Sequence, residues 1–278
     1  MSEPELIDVM HLGRAHVIGA WRVGDVIVDP GPSSALESWL ADLEKRPPRA
    51  LALTHIHLDH AGAAGTLARR FPELEVWVHE RGAPHLADPS KLLHSAGRLY
   101  GDAMQRLWGE VLPVPSERLR VLRGGERLDD FAVAYTPGHA SHHVAYMHEP
   151  SGYAFAGDVA GVRIEGGAVL APTPPPDIDL EAWRDSLALL EGWQPRRLAV
   201  THFGAYDDVV EQLGGLRAHL DEVERWAAEL DEQAFTEKVR ERALAPGHDG
   251  NPGSYAQALP PGQSYAGLRR YLSKRGDL

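Results

Sequence analysis

Thr54-His55-Ile56-His57-Leu58-Asp59-His60 is the stretch on which the reading of the fold turns. Four groups able to bind metal, His55, His57, Asp59 and His60, fall within six residues. Ahead of them, residues 49–53 (Arg-Ala-Leu-Ala-Leu) form a short apolar run of strand type, and behind them Ala61 to Phe71 reads as a helix. The cluster therefore sits on a strand-to-helix turn at the end of a sheet, where open sites are usually built. Side chains two apart in an extended turn point the same way, so His55, His57 and Asp59 converge while His60 opens the helix from another angle. That geometry suits two neighbouring metals better than one. A lone histidine is most often a surface or hydrogen-bonded core residue. Burying so many titratable groups together without a metal is costly, which weighs against that plain reading here.

Composition narrows the function classes. The chain has 278 residues, enough for one large domain or a domain with an appendage, and 43% of them are hydrophobic, enough for a substantial core. The net charge of −12 argues against a nucleic-acid surface, and the basic residues gather only near the C-terminus, at Arg269, Arg270, Lys274 and Arg275. With 0 cysteines there is no disulfide, thiolate ligand or cysteine nucleophile, so any metal must be held by imidazole and carboxylate. The acidic start, Met1 to Leu6, lacks the basic and apolar parts of a secretory signal, and no apolar run approaches membrane-spanning length. The expectation is a cytoplasmic protein with a small-molecule substrate and neither a nucleic-acid nor a membrane partner; its oligomeric state is open.

Along the chain, Leu6–Met10, His16–Trp21 and Val26–Val28 predict an antiparallel meander ending in the turn Asp29-Pro30-Gly31. Ser33 or Ser34 caps a predicted helix through Arg46, with Leu36, Trp39, Leu40 and Leu43 on one face. The strand to Leu53, the helix from Ala61 and a strand over Leu74–His79 make a βαβ unit. Residues 80–112 read as a helical insertion rich in rings: His85, His94, Tyr100 and Trp108. Strand character returns over 119–165, and Pro172–Pro176 is a stiff linker. A helix over Asp179–Trp193 and a strand over Arg197–Val200 follow. Residues 205–278 are mostly helical: Asp207–Leu230, Glu232–Leu244, a Gly/Pro-rich loop over Pro246–Gly262 and a last helix over Tyr265–Lys274.

Three further candidates stand at predicted strand ends: His139 after Thr136-Pro137-Gly138, Asp158 after Gly157, and His202 after Thr201. Each alone is weak, because a histidine after Pro-Gly is often a turn residue and an aspartate after glycine often a helix cap. Their appearance in order after H-x-H-x-D-H decides. From about residue 5 to 204 the chain resembles the metallo-β-lactamase superfamily, with the glyoxalase II-like branch as the nearest pattern. The resemblance implies an αββα sandwich of two mixed sheets, with a catalytic domain over 1–204, the 80–112 insertion near its cleft and the 205–278 extension packed on it. It implies that His55, His57 and His139 hold one metal, that Asp59, His60 and His202 hold the other, and that Asp158 bridges them. Asp29 would support the ligand loop from behind.

Two divalent ions, zinc first and iron or manganese as alternatives, suit five imidazoles and two carboxylates. Such a pair lowers the pKa of a shared water toward about 7 and presents hydroxide at neutral pH, with Asp59 and Asp158 as the catalytic carboxylates that hold it. A small ester, thioester or lactone is the first substrate expectation. A phosphodiesterase, an iron-dependent dioxygenase of the persulfide type and a metal-binding protein without catalysis are the alternatives. Tyr100, Trp108, His142 and Arg163 are the candidate substrate contacts.

Overall fold

The computed structural model describes residues 3–244 and 251–277. One six-stranded sheet runs in sequence order: β1 (Glu5–Asp8), β2 (Gly19–Val23), β3 (Val26–Val28), β4 (Ala50–Ala52), β5 (Glu75–His79) and β6 (Leu119–Leu122). β1, β2 and β3 pair antiparallel, and β3 to β6 pair parallel. The second six-stranded sheet holds β7 (Arg127–Leu128), β8 (Phe131–Tyr135), β9 (Val144–His148), β10 (Tyr153–Phe155), β11 (Arg197–Val200) and β12 (Gly204–Tyr206), also in sequence order. Its pairs are antiparallel except β10 with β11. Both sheets are thus mixed.

Alternation along the strands builds the layers. Val26, Val28, Ala50, Ala52 and Trp77 of the first sheet share one buried cluster with Phe131, Val133, Tyr146 and Phe155 of the second, so these faces meet. Trp21 meets Phe155 edge-on at 5.8 Å and Trp77 meets Phe131 at 5.9 Å. Such pairs add about 0.5–1.5 kcal/mol each beyond the area they bury. The intervening residues Ile27, Leu51, Val76 and Val78 face outward, onto α1 (Leu40–Lys45) and α3 (Ala64–Arg70), which follows the one-turn α2 (Leu58–Ala61).

The insertion forms α4 (Ala83–Ala87), α5 (Ser90–Tyr100) and α6 (Met104–Trp108). Covering the outer face of the second sheet are α7 (Leu180–Gly192), α8 (Val209–Glu229), α9 (Glu232–Ala243), α10 (Pro252–Ala258) and α11 (Pro261–Arg275). Trp183, Leu187, Leu216, Leu220 and Leu268 pack there against Ala154, Leu198 and Val200. The result is an αββα sandwich. None of the described helices is long and apolar enough to cross a membrane.

Local outcomes differ from the sequence reading where backbone geometry interrupts a periodic pattern. The helix expected from Ser33 to Arg46 splits into a 3-10 segment, Ser33–Ser38, and α1, because Trp39 leaves the helical region at φ −136°. The helix expected from Ala61 begins earlier, at Leu58, and breaks at Gly62 and Ala63. Part of the expected Gly/Pro-rich loop is helical. There the Asn251 side chain accepts from the Gly253 and Ser254 N–H groups and starts α10, with Pro252 in its first turn. Residues 245–250 of that loop lie outside the described residues. The last helix starts at Pro261 rather than Tyr265, again with proline in the first turn. β12 has no clear signal in the sequence and begins at residue 204, where the sequence reading ends the catalytic domain.

Candidate metal centre

The parallel strands set the position of the site. Asp29 follows β3, His55 and His57 follow β4, Asp158 follows β10 and His202 follows β11, so these side chains leave the C-terminal ends of both sheets. His139 precedes β9, whose first residue is tied across the sandwich by Val144 N–H to the Thr54 carbonyl at 2.8 Å. Glycines allow the close approach. Gly157 has φ +45°, and a Cβ there would lie 2.5 Å from Thr54 Oγ1. Gly138 has φ +138°, and a Cβ there would lie 2.4 Å from Trp183. Any side chain at either position would push apart the segments that carry Asp158 and His139.

All seven predicted ligand residues come together. Three sets of donor atoms each lie within 4.8 Å of one another: His55, His57 and His139; His55, His60 and Asp158; Asp59, His60 and His202. Asp158 stands between the sets. Its Oδ2 lies 3.4 Å from His139 Nε2, while its Oδ1 lies 3.3 Å from His60 Nε2 and 3.6 Å from His202 Nε2. Asp59 Oδ2 is 3.4 Å from His202 Nε2.

The imidazoles are held from behind. His139 Nδ1 donates to the Pro172 carbonyl at 2.8 Å and His202 Nδ1 to the Val17 carbonyl at 2.6 Å. A carbonyl only accepts, so in both rings the proton is fixed on Nδ1 and the Nε2 lone pair faces the centre. His60 Nδ1 lies 2.8 Å from Asp29 Oδ2, which fixes that ring in the same sense. His55 Nδ1 lies 3.1 Å from Thr54 Oγ1, whose hydroxyl donates to Asp29. Asp29 is fully buried and also accepts from Thr54 N–H at 2.8 Å and Thr201 Oγ1 at 2.9 Å. It therefore joins the loops after β3, β4 and β11.

The donor set fits a cation. His55 Nε2, His60 Nε2, His202 Nε2 and Asp158 Oδ1 are buried without any hydrogen-bond partner, a costly state for atoms that could instead bind metal. Burial holds His55, His57 and His139 below the ordinary imidazole range, His57 down to about 4, and neighbouring imidazoles add to the effect on His55 and His57. Burial acts the same way on His60 and His202, but Asp158 and Asp59 outweigh it and hold both rings above that range. Asp59 and Asp158 are pressed up by burial and pulled further down by His60 and His202, ending below the usual carboxylate range. The carboxylates thus demand positive charge. A cation seated among the Nε2 lone pairs would supply that charge.

A cavity of about 370 Å³ opens above these residues. Tyr100, Trp108 and His142, read from the sequence as substrate contacts, line it, as does His85. Trp108 stacks on His11 with ring centroids 5.5 Å apart and meets Tyr100 edge-on at 5.1 Å. Arg163 does not line it. Its guanidinium donates to both oxygens of Asp208 at 2.8 Å and to Gln212 at 3.2 Å, and lies over the Tyr206 ring at 4.4 Å. That carboxylate and ring hold it away from the cleft. In the C-terminal part, Tyr255, Tyr265 and Arg269 are likewise engaged away from the cleft, donating to the carbonyls of Ala168, Leu230 and Ala227. The C-terminal part instead contributes Gln257, Leu259 and Gln263. Sequence reasoning also misses His11, Arg81 and Lys91 in the lining, and no periodicity or motif marks them. The Pro172–Pro176 linker does carry a signal, its stiffness, and that stiffness holds the carbonyl that orients His139.

Known proteins resemble this chain in sequence and in fold. Residues 24–202 match the family model described as the metallo-beta-lactamase superfamily. A metallo-beta-lactamase fold-containing protein, ST1585 of Sulfurisphaera tokodaii, is 29% identical over 188 residues, covering 64% of this chain and 68% of that one. Its crystal structure superposes with a TM-score of 0.71 at 21% identity, over 97% of this chain and 99% of that chain, and so shares the fold. A hydroxyacylglutathione hydrolase of Salmonella paratyphi A is 34% identical over 137 residues, 48% of this chain, but the match spans only 41% of that enzyme. The structure of TTHA1623, solved in a di-iron-bound form, matches 70% of this chain and 91% of its own at 27% identity, with a TM-score of 0.55. Sequence and fold agree, and the chain belongs to the metallo-β-lactamase superfamily.

Proposed function

We propose that the chain is a two-metal-dependent hydrolase of a small ester, thioester or lactone. Membership of the superfamily and the hydroxyacylglutathione hydrolase relatives point to a metal-dependent hydrolase. The observation that carries the two-metal reading is Asp158, whose two oxygens each face a different group of imidazoles. His55, His57 and His139 would hold one ion, Asp59, His60 and His202 the other, and Asp158 both. Two divalent ions bound there supply Lewis acidity and lower the pKa of water toward about 7.

The chain's own residues do the rest. Asp29 and the carbonyls of Val17 and Pro172 keep the Nε2 lone pairs of His60, His202 and His139 turned inward, so little reorganisation accompanies binding. His142 Nδ1 accepts the Ile56 N–H at 3.4 Å, which leaves its Nε2 as a donor at the cavity wall. Burial, with the charge of Asp59, holds the Tyr100 phenol above its ordinary range, so its hydroxyl, which donates to Gln263 Oε1 at 3.4 Å, stays a donor at the cavity wall. Leu58, Leu107 and Trp108 keep the space beside Asp59 apolar and limit water there. Zinc is the first choice of ion, and the di-iron neighbour supports iron as the second.

The test is to strip the protein of metal, reload it with zinc, iron or manganese, and count ions per chain by mass spectrometry. Each form is then assayed on chromogenic esters, thioesters, lactones and phosphodiesters, with oxygen uptake recorded. Two ions per chain and chelator-sensitive cleavage of carboxylic esters, thioesters or lactones are expected. Cleavage of phosphodiesters alone, or one iron with oxygen uptake, would replace this reading with one of its alternatives.

A further inference from the structure

The cavity wall is apolar over the rings and prolines, with Leu92, Tyr100, Trp108, Pro174 and Leu259 among its residues. Two cations interrupt it: Arg81, in the loop after β5, and Lys91, in the first turn of α5. They stand out in a chain of net charge −12. Nearby carboxylates are engaged elsewhere. Glu80 pairs with Arg123 at 2.7 Å, and Asp88 accepts the Ser90 N–H at 3.1 Å and feels the charge of Lys91 without pairing with it. Asp177, which also reaches the wall, accepts from Ser141 Oγ at 2.7 Å. Among the described residues neither Arg81 nor Lys91 forms an ion pair, whereas Arg49, Arg123, Arg163 and Arg184 all do. Arg81 instead lies over the Tyr135 ring at 5.7 Å, and Tyr135 donates to the Ser141 carbonyl at 3.0 Å, which fixes one side of the guanidinium against the cavity wall.

An apolar wall with unpaired cations in it suits a ligand that is itself divided. We infer that the substrate is an ester or thioester whose acyl part is apolar and ends in an anionic group, a carboxylate or its equivalent, received by Arg81 and Lys91. This rests on the hydrolase reading above and adds the substrate class to it. The guanidinium offers a fork of donors to a carboxylate and the ammonium a point charge. Both are exposed to solvent at the cavity edge, so each contributes modestly and in a salt-dependent way.

The experiment compares length-matched pairs on the metal-loaded protein: para-nitrophenyl monoesters of glutaric and suberic acid against the pentanoate and octanoate esters. The native protein should favour the carboxylate-bearing member of at least one pair in kcat/KM, and that preference should shrink as salt is raised. In the double variant Arg81→Gln, Lys91→Gln the ratio of the two kcat/KM values should fall by about tenfold, mainly through KM, with metal content held at the native level. Calorimetry of octanoate and octanamide binding gives a second readout that needs no turnover, and octanoate should bind more tightly only when Arg81 and Lys91 are present. Equal kcat/KM values for both members of each pair, or equal binding of octanoate and octanamide, would overturn the inference while leaving ester cleavage intact. Cleavage of none of the esters would count against the hydrolase reading, and the calorimetry would then decide the anionic site alone.

Discussion

His60 at the base of the cleft and Trp108 in its wall are both buried, yet different forces hold them. His60 is turned by a hydrogen bond to Asp29 at 2.8 Å, and Asp29 in turn is fixed by three donors from two other segments. Trp108 has no hydrogen-bond partner for its indole N–H and is held by ring contacts with His11 and Tyr100. Hydrogen bonds are directional and set a donor atom's position closely, whereas ring packing tolerates sliding and replacement. The base of the site is therefore built to keep one chemistry, and the wall can change its substrate without disturbing that chemistry.

The contrast is broken most directly at Asp158. Asp158→Ala should lower kcat by more than about 100-fold, beyond the range usual for residues that only orient ligands, and should cost one ion per chain. Steady-state kinetics with metal analysis checks this. Retention of two ions and near-native turnover would remove Asp158 from its bridging place.

Asp29→Asn comes next. All four of its hydrogen-bond partners donate, so an amide NH2 would face a donor, and metal affinity should fall about 10–100-fold. Competition against a chromogenic chelator measures it. A loss of kcat as large as that of Asp158→Ala under saturating metal would mean that the backing and the ligands cannot be told apart.

The wall should respond differently. Tyr100→Ala and Trp108→Ala should shift the ratio of kcat/KM between a small and a large substrate by about tenfold, with metal content unchanged. Equal losses on both substrates together with lost metal would show that these rings only pack the fold. Trp108→Ala also empties a buried site, so its melting temperature should fall more than that of Tyr100→Ala.

The smallest effect is expected behind the site, at His219. This buried ring accepts the Ala171 N–H at 2.9 Å, and burial pushes its pKa down to about 3 from an ordinary 6.5. Between those values the unfolded chain binds a proton that the folded chain refuses, so stability is full above about pH 6.5 and is lost as pH falls toward 3. His219→Gln keeps an acceptor and should flatten the acid side of the stability curve, by at most about 1.4 kcal/mol per pH unit. Thermal melts of the metal-loaded protein across that range read it, and an unchanged slope would mean that other groups set the acid limb.

Much of this was legible in the chain because it is written in local pattern. The run from Thr54 to His60 lies in one turn, and its spacing alone brings four donors near one another. His139, Asp158 and His202 are weak signals one by one, and they were legible because they follow H-x-H-x-D-H in the order the resemblance to the metallo-β-lactamase superfamily implies. The unbroken apolar run Val26, Ile27 and Val28 is a strand with two buried faces, as a sandwich of four layers requires.

Other features depended on contacts between distant segments. Arg163 follows Asp158 closely, and only the approach of Asp208 and Gln212 at the start of α8 shows that it is paired away from the cleft. Arg81 and Lys91 resemble any surface cation in the sequence, and they matter because the fold places them beside the apolar wall and, among the described residues, in no ion pair. By itself the sequence determined the strand and helix segments and the order of the candidate ligands, since strand alternation and turn chemistry are properties of neighbouring residues, and the resemblance those residues carry implied the sandwich. Tertiary structure alone decided which ring nitrogens face inward, which side chains wall the cleft and which charges stay unpaired, because each depends on a partner tens to hundreds of residues away in the chain.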